Sequence, residues 1–373
     1  MTKLKNIENH YSHFARDMIA GLPELAHKRP GFSDIWQKMA ANQMFGLCLP
    51  KDCGGQGGNL KDLAGAASAL VSAGGDICIA MSWLIHEIIS CRLIHAFGNG
   101  RQKKEMLPDL AAGKMTVSLA VSEPDIGAHP KYLQTKASFE NGIWTLTGQK
   151  TYITNGPISE WFIVMAKTSV TDGKNRYTAF LVNKDTPGLT IHHPMDLPFL
   201  KSCPHGGISL ENCQINEDQI LGPKDDAYKS MAVPFRNIED VLLMNLVTGG
   251  LNLELDRLSR EVGQHQDILE NKDLLFKLGH LKCQADGMNA LSEKAAEMFL
   301  KNEKDMRLSS LPSFLRTHAE AFQRQIKELT ADLPGAEGPA ELPVTRDLDG
   351  LLTIGRQATQ NRMIKLGRKL ASD

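Results

Sequence analysis

The chain has no run of about eighteen apolar residues, so its sequence predicts no membrane-spanning helix. Its first residues, Met1-Thr2-Lys3-Leu4-Lys5-Asn6, hold no apolar signal region. Excess charge of either sign is missing too. In 373 residues, 42 Lys and Arg face 43 Asp and Glu, a net charge of −1. That balance gives no electrostatic case for nucleic acid or for an anionic membrane. The seven cysteines (48, 53, 78, 91, 203, 213, 283) are scattered, with no CxxC and no Cys/His cluster of metal-binding spacing. No metal is expected. Free thiols in a reducing cytoplasm are the simplest account, and cytoplasmic location is the expectation. Internal repeats and low-complexity tracts are absent as well. The glycine run Gly54-Gly55-Gln56-Gly57-Gly58 lacks the following Lys-Ser/Thr of a phosphate loop, and it reads as a turn between helices.

What is present is a length suited to two or three domains and a clear change of pattern along it. Residues 1–117 read as helices, among them Leu60 to Ala73, capped by Asn59 or the glycines, and an apolar helix over 77–97. His86 and His95 in that helix read as core residues rather than ligands. Residues 118–230 are strand-rich, with turns at Asn141-Gly142, Asp172-Gly173 and Pro187-Gly188, which predicts an antiparallel sheet or barrel. Residues 231–373 return to helical spacing. Breaks are expected at Ser309-Ser310-Leu311-Pro312 and from Leu333 to Pro343, with a terminal helix over about Leu351 to Leu370. Long helices joined by short breaks imply a four-helix bundle. The fold class is therefore α+β: helices, a central antiparallel β domain, then a bundle.

Two segments stand out. Ser118-Leu119-Ala120-Val121-Ser122-Glu123-Pro124-Asp125-Ile126-Gly127 opens the strand-rich part, and Gly148-Gln149-Lys150-Thr151-Tyr152-Ile153-Thr154-Asn155 follows across a hairpin. Strand propensity does not demand the order Glu-Pro, Gly, Lys. Together the segments resemble the paired signatures of the acyl-CoA dehydrogenase family, and the order helix, sheet, bundle matches that family over nearly the whole chain. The resemblance implies FAD and the α,β-dehydrogenation of an acyl thioester. It places Leu119, Val121 and Ser122 at the isoalloxazine edge, Tyr152 over the ring where relatives usually have Trp, and Thr154 near N5. Gly127 and Ala128 fall where relatives contact the substrate's pantetheine, with Ala128 in place of a Ser.

The base is less simple. In the resemblance, the Arg346-Asp347 and Arg362-Met363-Ile364 matches put Gly355 where many relatives have the catalytic Glu. A minority carry a Glu early in the first bundle helix, ten residues before a Gly. Glu239 stands ten residues before Gly249. A first-turn glutamate is also favoured by the helix dipole, so both accounts of Glu239 stand. Asp240 occupies the place of an Arg that helps hold CoA, and the Arg-x-x-Phe-Gly loop that reaches a neighbour's FAD is absent. The expected substrate is thus acyl-CoA or a carrier-protein-bound acyl thioester, in a homo- or hetero-oligomer. Two other readings remain open: a non-catalytic or half-site subunit of a heteromeric dehydrogenase, and a flavin oxidase or monooxygenase on this fold.

Overall fold

The computed structural model describes residues 3–372 apart from 23–29, 193–194, 266–267, 306, 334–342 and 355. Helices come first: α1 (Lys3–Met18), α2 (Pro30–Ala41), α3 (Leu60–Gly74), α4 (Ile77–Ile89), α5 (His95–Phe97) and α6 (Gly100–Ala111). Asn59 does cap α3. Its Oδ1 accepts the N–H groups of Lys61 at 2.8 Å and Asp62 at 3.3 Å, and the Asp62 carboxylate accepts the N–H of Asn59 at 3.0 Å. This reciprocal pair satisfies donors the helix cannot use itself. A π-turn, Ser90–Ile94, joins α4 to α5, so 77–97 is one continuous helical stretch. It is long and apolar enough to cross a membrane, but 94% of its most apolar eighteen residues are buried inside the protein, as in a core helix. His86 is indeed a core residue, with Nε2 3.0 Å from the Leu110 carbonyl.

The middle of the chain forms β1 (Val117–Ala120), β2 (Lys136–Glu140), β3 (Ile143–Thr154), β4 (Trp161–Thr171), β5 (Lys174–Asn183), β6 (Leu189–Ile191), β7 (His205–Asn216) and β8 (Ile220–Leu221). Their order is β6-β7-β3-β2-β4-β5-β8, with β1 on β4. Asn141-Gly142 and Asp172-Gly173 have positive φ at both central residues, the twist a two-residue hairpin needs. The sheet is not wholly antiparallel, however. β1 and β2 each pair with β4 in parallel. The long segment between β1 and β2 lets the chain return along the same direction, which a hairpin could not.

β4 is buried on both faces. Phe162, Val164 and Ala166 enter a core inside the sheet with Trp144, Leu146 and Phe180. Ile163 and Met165, alternating with them, join the larger core under the helices. This is why Trp161 to Ala166 reads as a continuous apolar run.

A second π-turn, Tyr228–Ala232, leads into α7 (Val233–Val262), followed by α8 (Lys272–Lys301), α9 (Arg307–Ala331), α10 (Pro343–Thr353) and α11 (Arg356–Ser372). Two expectations need correction. Pro312 does not break a helix; it lies inside α9, and the break comes earlier, after Lys301. The apolar spacing of Leu308, Leu315 and Phe322, all buried, carries the helix through a proline near its start, where few backbone bonds are lost. The terminal helix is also two: α10 ends at Thr353 and α11 starts at Arg356. The expected break from Leu333 to Pro343 falls mostly outside the described residues.

Candidate active site

The two signature segments lie side by side, and their shared residues explain the pairing. Lys150 and Glu123 form an ion pair at 2.9 Å, with side chains 0% and 4% exposed. The Lys150 ammonium also donates to the Val121 carbonyl at 3.0 Å. Glu123 accepts the backbone N–H groups of Gln134 at 2.6 Å and Thr135 at 2.9 Å. Burial alone would raise Glu123, but Lys150 and these donors hold its carboxyl below the ordinary value. Burial brings the Lys150 ammonium down to about 8, with Glu123 opposing. At neutral pH both are charged, and the pair clips the loop after β1 to β3.

Further bonds align the segments. The Thr151 N–H donates to the Ser122 carbonyl at 2.9 Å, and the Ser118 hydroxyl to the Thr154 carbonyl at 2.7 Å. Gly148 is required by close approach: a Cβ there would lie 2.5 Å from the Thr135 hydroxyl. Asn155, buried and left-handed at φ 63°, ends the segment by donating to the Ser82 carbonyl of α4 at 2.9 Å. Thus Glu, Gly, Lys and Asn of the signatures are the frame. Between them lie residues open to solvent.

Among these, Tyr152 is 58% exposed and held at φ 53°, while Ile153 beside it is buried. A non-glycine residue held there is strained, and such strain gathers at binding sites. Ser122 and Thr154 are partly exposed, as is Val121; Leu119 and Val121 pack their inner sides on the larger core. An open aromatic ring flanked by two hydroxyls suits a flat, polar-edged ring such as isoalloxazine, so the residues present fit a flavin. Behind Thr154 sits His205, with Nε2 3.3 Å from the Thr154 hydroxyl and Nδ1 3.4 Å from the Cys203 carbonyl. Burial lowers the His205 pKa, with the Cys203 carbonyl opposing.

Gly127, at φ 64°, closes a tight loop through two 3.0 Å backbone bonds with Glu123. The Ala128 carbonyl accepts the Tyr228 hydroxyl at 2.7 Å, which ties this loop to the approach of α7. Glu239 lies about 15 Å further along that helical path. It is partly buried, and burial, then Asp240, raise its carboxyl to about 8 against the pull of Arg236. Asp240 is paired with Arg362 of α11. Gly355 lies outside the described residues. Arg257 and Arg260 remain on the last turns of α7 rather than on a loop. Among the described residues no group of His, Cys, Asp or Glu could hold a metal ion.

Sequence reasoning did not single out His205, Ser82, Tyr228 or Arg362 in these roles. Each meets its partner from far away in the chain, and no local spacing marks it.

Known proteins share the domain order. Residues 3–114 match the N-terminal domain of acyl-CoA dehydrogenases and residues 118–213 their middle domain, together more than half of the chain. The chain belongs to the acyl-CoA dehydrogenase family. A glutaryl-CoA dehydrogenase of Mycobacterium smegmatis, solved in complex with FADH2, has the same fold, with a TM-score of 0.83 at 20% identity. The chain is 26% identical to an acyl-CoA dehydrogenase of Bacillus subtilis over 290 residues, 76% of each. It is 28% identical to the L-prolyl-[peptidyl-carrier protein] dehydrogenase of Pseudomonas fluorescens over 197 residues, 52% of each. Apart from the Bacillus protein, the chain spans about half to two thirds of the length of the curated relatives it matches. The butyryl-CoA dehydrogenase of Megasphaera elsdenii has the same fold, with a TM-score of 0.86 at 20% identity, covering 100% of this chain and 99% of that one.

Proposed function

We propose that this acyl-CoA dehydrogenase family member removes the α and β hydrogens of an acyl thioester, with Glu239 as the base. The observation that carries the reading is a protonatable carboxyl, poised near pH 8, on the helix that the Tyr228–Ala128 bond ties to the cofactor face. FAD, when bound, supplies the hydride acceptor that no side chain can provide. Val121, Ser122, Tyr152 and Thr154 hold and orient it, and the buried frame beneath keeps them in place. Gly127 and Ala128 border the thioester. Glu239, as carboxylate, takes the α proton.

The pairing of Asp240 with Arg362 bears on the substrate. The residue beside the base is an anion, and it engages the Arg362 guanidinium of α11, so the pair offers no net positive charge to a phosphate-rich ligand. This favours a thioester whose phosphate recognition lies elsewhere, including one carried by a protein, the type of substrate named for the Pseudomonas relative. The test is anaerobic flavin reduction by a panel of CoA and carrier-protein thioesters, wild type against Glu239→Gln. Reduction by at least one thioester, lost in Glu239→Gln with flavin still bound, supports the reading. Equal rates in both would remove Glu239. If wild type never reduces but Gly355→Glu does, the chain is instead a subunit that has lost the dehydrogenation step.

A further inference from the structure

His205 is buried at 6% exposure, and its two ring nitrogens face different partners. Nδ1 faces the Cys203 carbonyl at 3.4 Å, and a carbonyl can only accept. A ring proton on Nδ1 satisfies that contact, and one on Nε2 alone does not. A neutral imidazole then has a bare lone pair at Nε2, which lies 3.3 Å from the Thr154 hydroxyl. Thr154 has one hydroxyl hydrogen, and this arrangement directs it to Nε2. What remains toward the open side of Thr154 is oxygen lone pairs alone.

We propose that His205 is a positioning residue that fixes the polarity of the Thr154 hydroxyl, so that the cofactor edge meets an acceptor there and not a donor. The inference rests on the flavoprotein reading above. Its consequence follows from flavin chemistry. The reduced ring carries a hydrogen at N5, which an acceptor can bond. The oxidised ring has a lone pair there, which an acceptor repels. With a flavin N5 at Thr154, the relay from Cys203 through His205 to the Thr154 hydroxyl would favour the reduced ring and would raise the flavin potential. Without His205 the hydroxyl can rotate and donate to the oxidised ring instead.

Two measurements test this. The first needs no cofactor and no activity: ¹⁵N NMR of labelled histidine in the wild-type chain, with His205 assigned through His205→Leu or His205→Gln, whichever folds. The expected result is a proton on Nδ1 and an unprotonated Nε2; a proton on Nε2 overturns the proposal. The second is the midpoint potential of bound FAD. Replacing His205 with Leu should change the reduced-to-oxidised ratio at a fixed potential about tenfold toward oxidised, or ~30 mV for a two-electron couple. In a Thr154→Val background the same replacement should shift nothing, because the hydroxyl it orients is gone. An unchanged potential in the first case, or an equal shift in both backgrounds, also overturns it. If the chain retains no FAD, the flavoprotein reading fails, while the tautomer still decides the direction of the Thr154 bond.

Discussion

Replacing Lys150 with Met removes the cation from a buried pair while keeping most of the side chain's volume. The Glu123 carboxylate then keeps two backbone donors, from Gln134 and Thr135, but loses its counter-charge at 4% exposure. The Val121 carbonyl loses its bond as well. Breaking a buried pair by removing one partner costs about 3–5 kcal/mol, and the two surviving donors place this case toward about 3. At roughly 2 °C or less per kcal/mol for a chain larger than a single small domain, the melting point should fall by about 4–6 °C. Pairing Lys150→Met with Glu123→Gln should recover part of this loss, because no unpaired charge then remains buried. Thermal unfolding of the four chains of this cycle, in one buffer and without added flavin, measures both effects. The loop holding Val121 and Ser122 should also loosen, so the single variant should retain less FAD through gel filtration. A Lys150→Met protein that melts within about 1 °C of wild type and keeps its flavin would refute the clip.

Other outcomes follow from the same structure. Glu239→Gln should slow flavin reduction by about 10²–10⁴-fold. Because the raised carboxyl near 8 must lose its proton to act, the wild-type rate should climb with pH and level off above about 8; a flat profile from pH 6 to 9 would exclude this base. Glu254 is buried in the bundle, and burial raises it to about 7. A carboxyl raised in the fold stabilises most below its unfolded pKa, and that stability is lost as pH rises through about 7, so Glu254→Gln should flatten the decline in melting point between pH 5 and 8. Asp347 accepts the Leu200 N–H at 2.8 Å and the Arg346 guanidinium at 2.8 Å, and it accepts the Cys78 thiol. Asp347→Ala should destabilise by about 1–3 kcal/mol, checked by urea unfolding, since it leaves the buried Leu200 N–H without this acceptor.

The legible part of the sequence was the part written locally. Asn59 with Asp62, and the two Asn-Gly and Asp-Gly turns, need only near neighbours. The signature segments were recognisable too, but their meaning divided in three dimensions. Glu123 and Lys150 proved to be the frame, and Tyr152 with Thr154 the face above it. Pro312 misled because its effect depends on where in a helix it falls, which propensity alone does not give. His205 against Thr154 and Arg362 against Asp240 are separated by 51 and 122 positions. Such pairs follow from the closed fold and leave no mark in the spacing of either partner.

The burial of β4 on both sides has a consequence for how its pairing is chosen. In a strand with one wet face, a slip of one position puts apolar groups in water and is rejected at once. Here a slip would exchange Phe162, Val164 and Ala166 for Ile163 and Met165, and both sets would stay dry. Over Phe162 to Ala166, water therefore does not proofread the pairing. Alignment rests on the two-residue Asp172-Gly173 corner that joins it to β5, and on the irregularity between Lys167 and Ser169. One residue added to that corner would leave the hydropathy of the chain almost untouched while offering it a second way to zip, so misaligned protein should collect from a change that no scan of apolar content would flag.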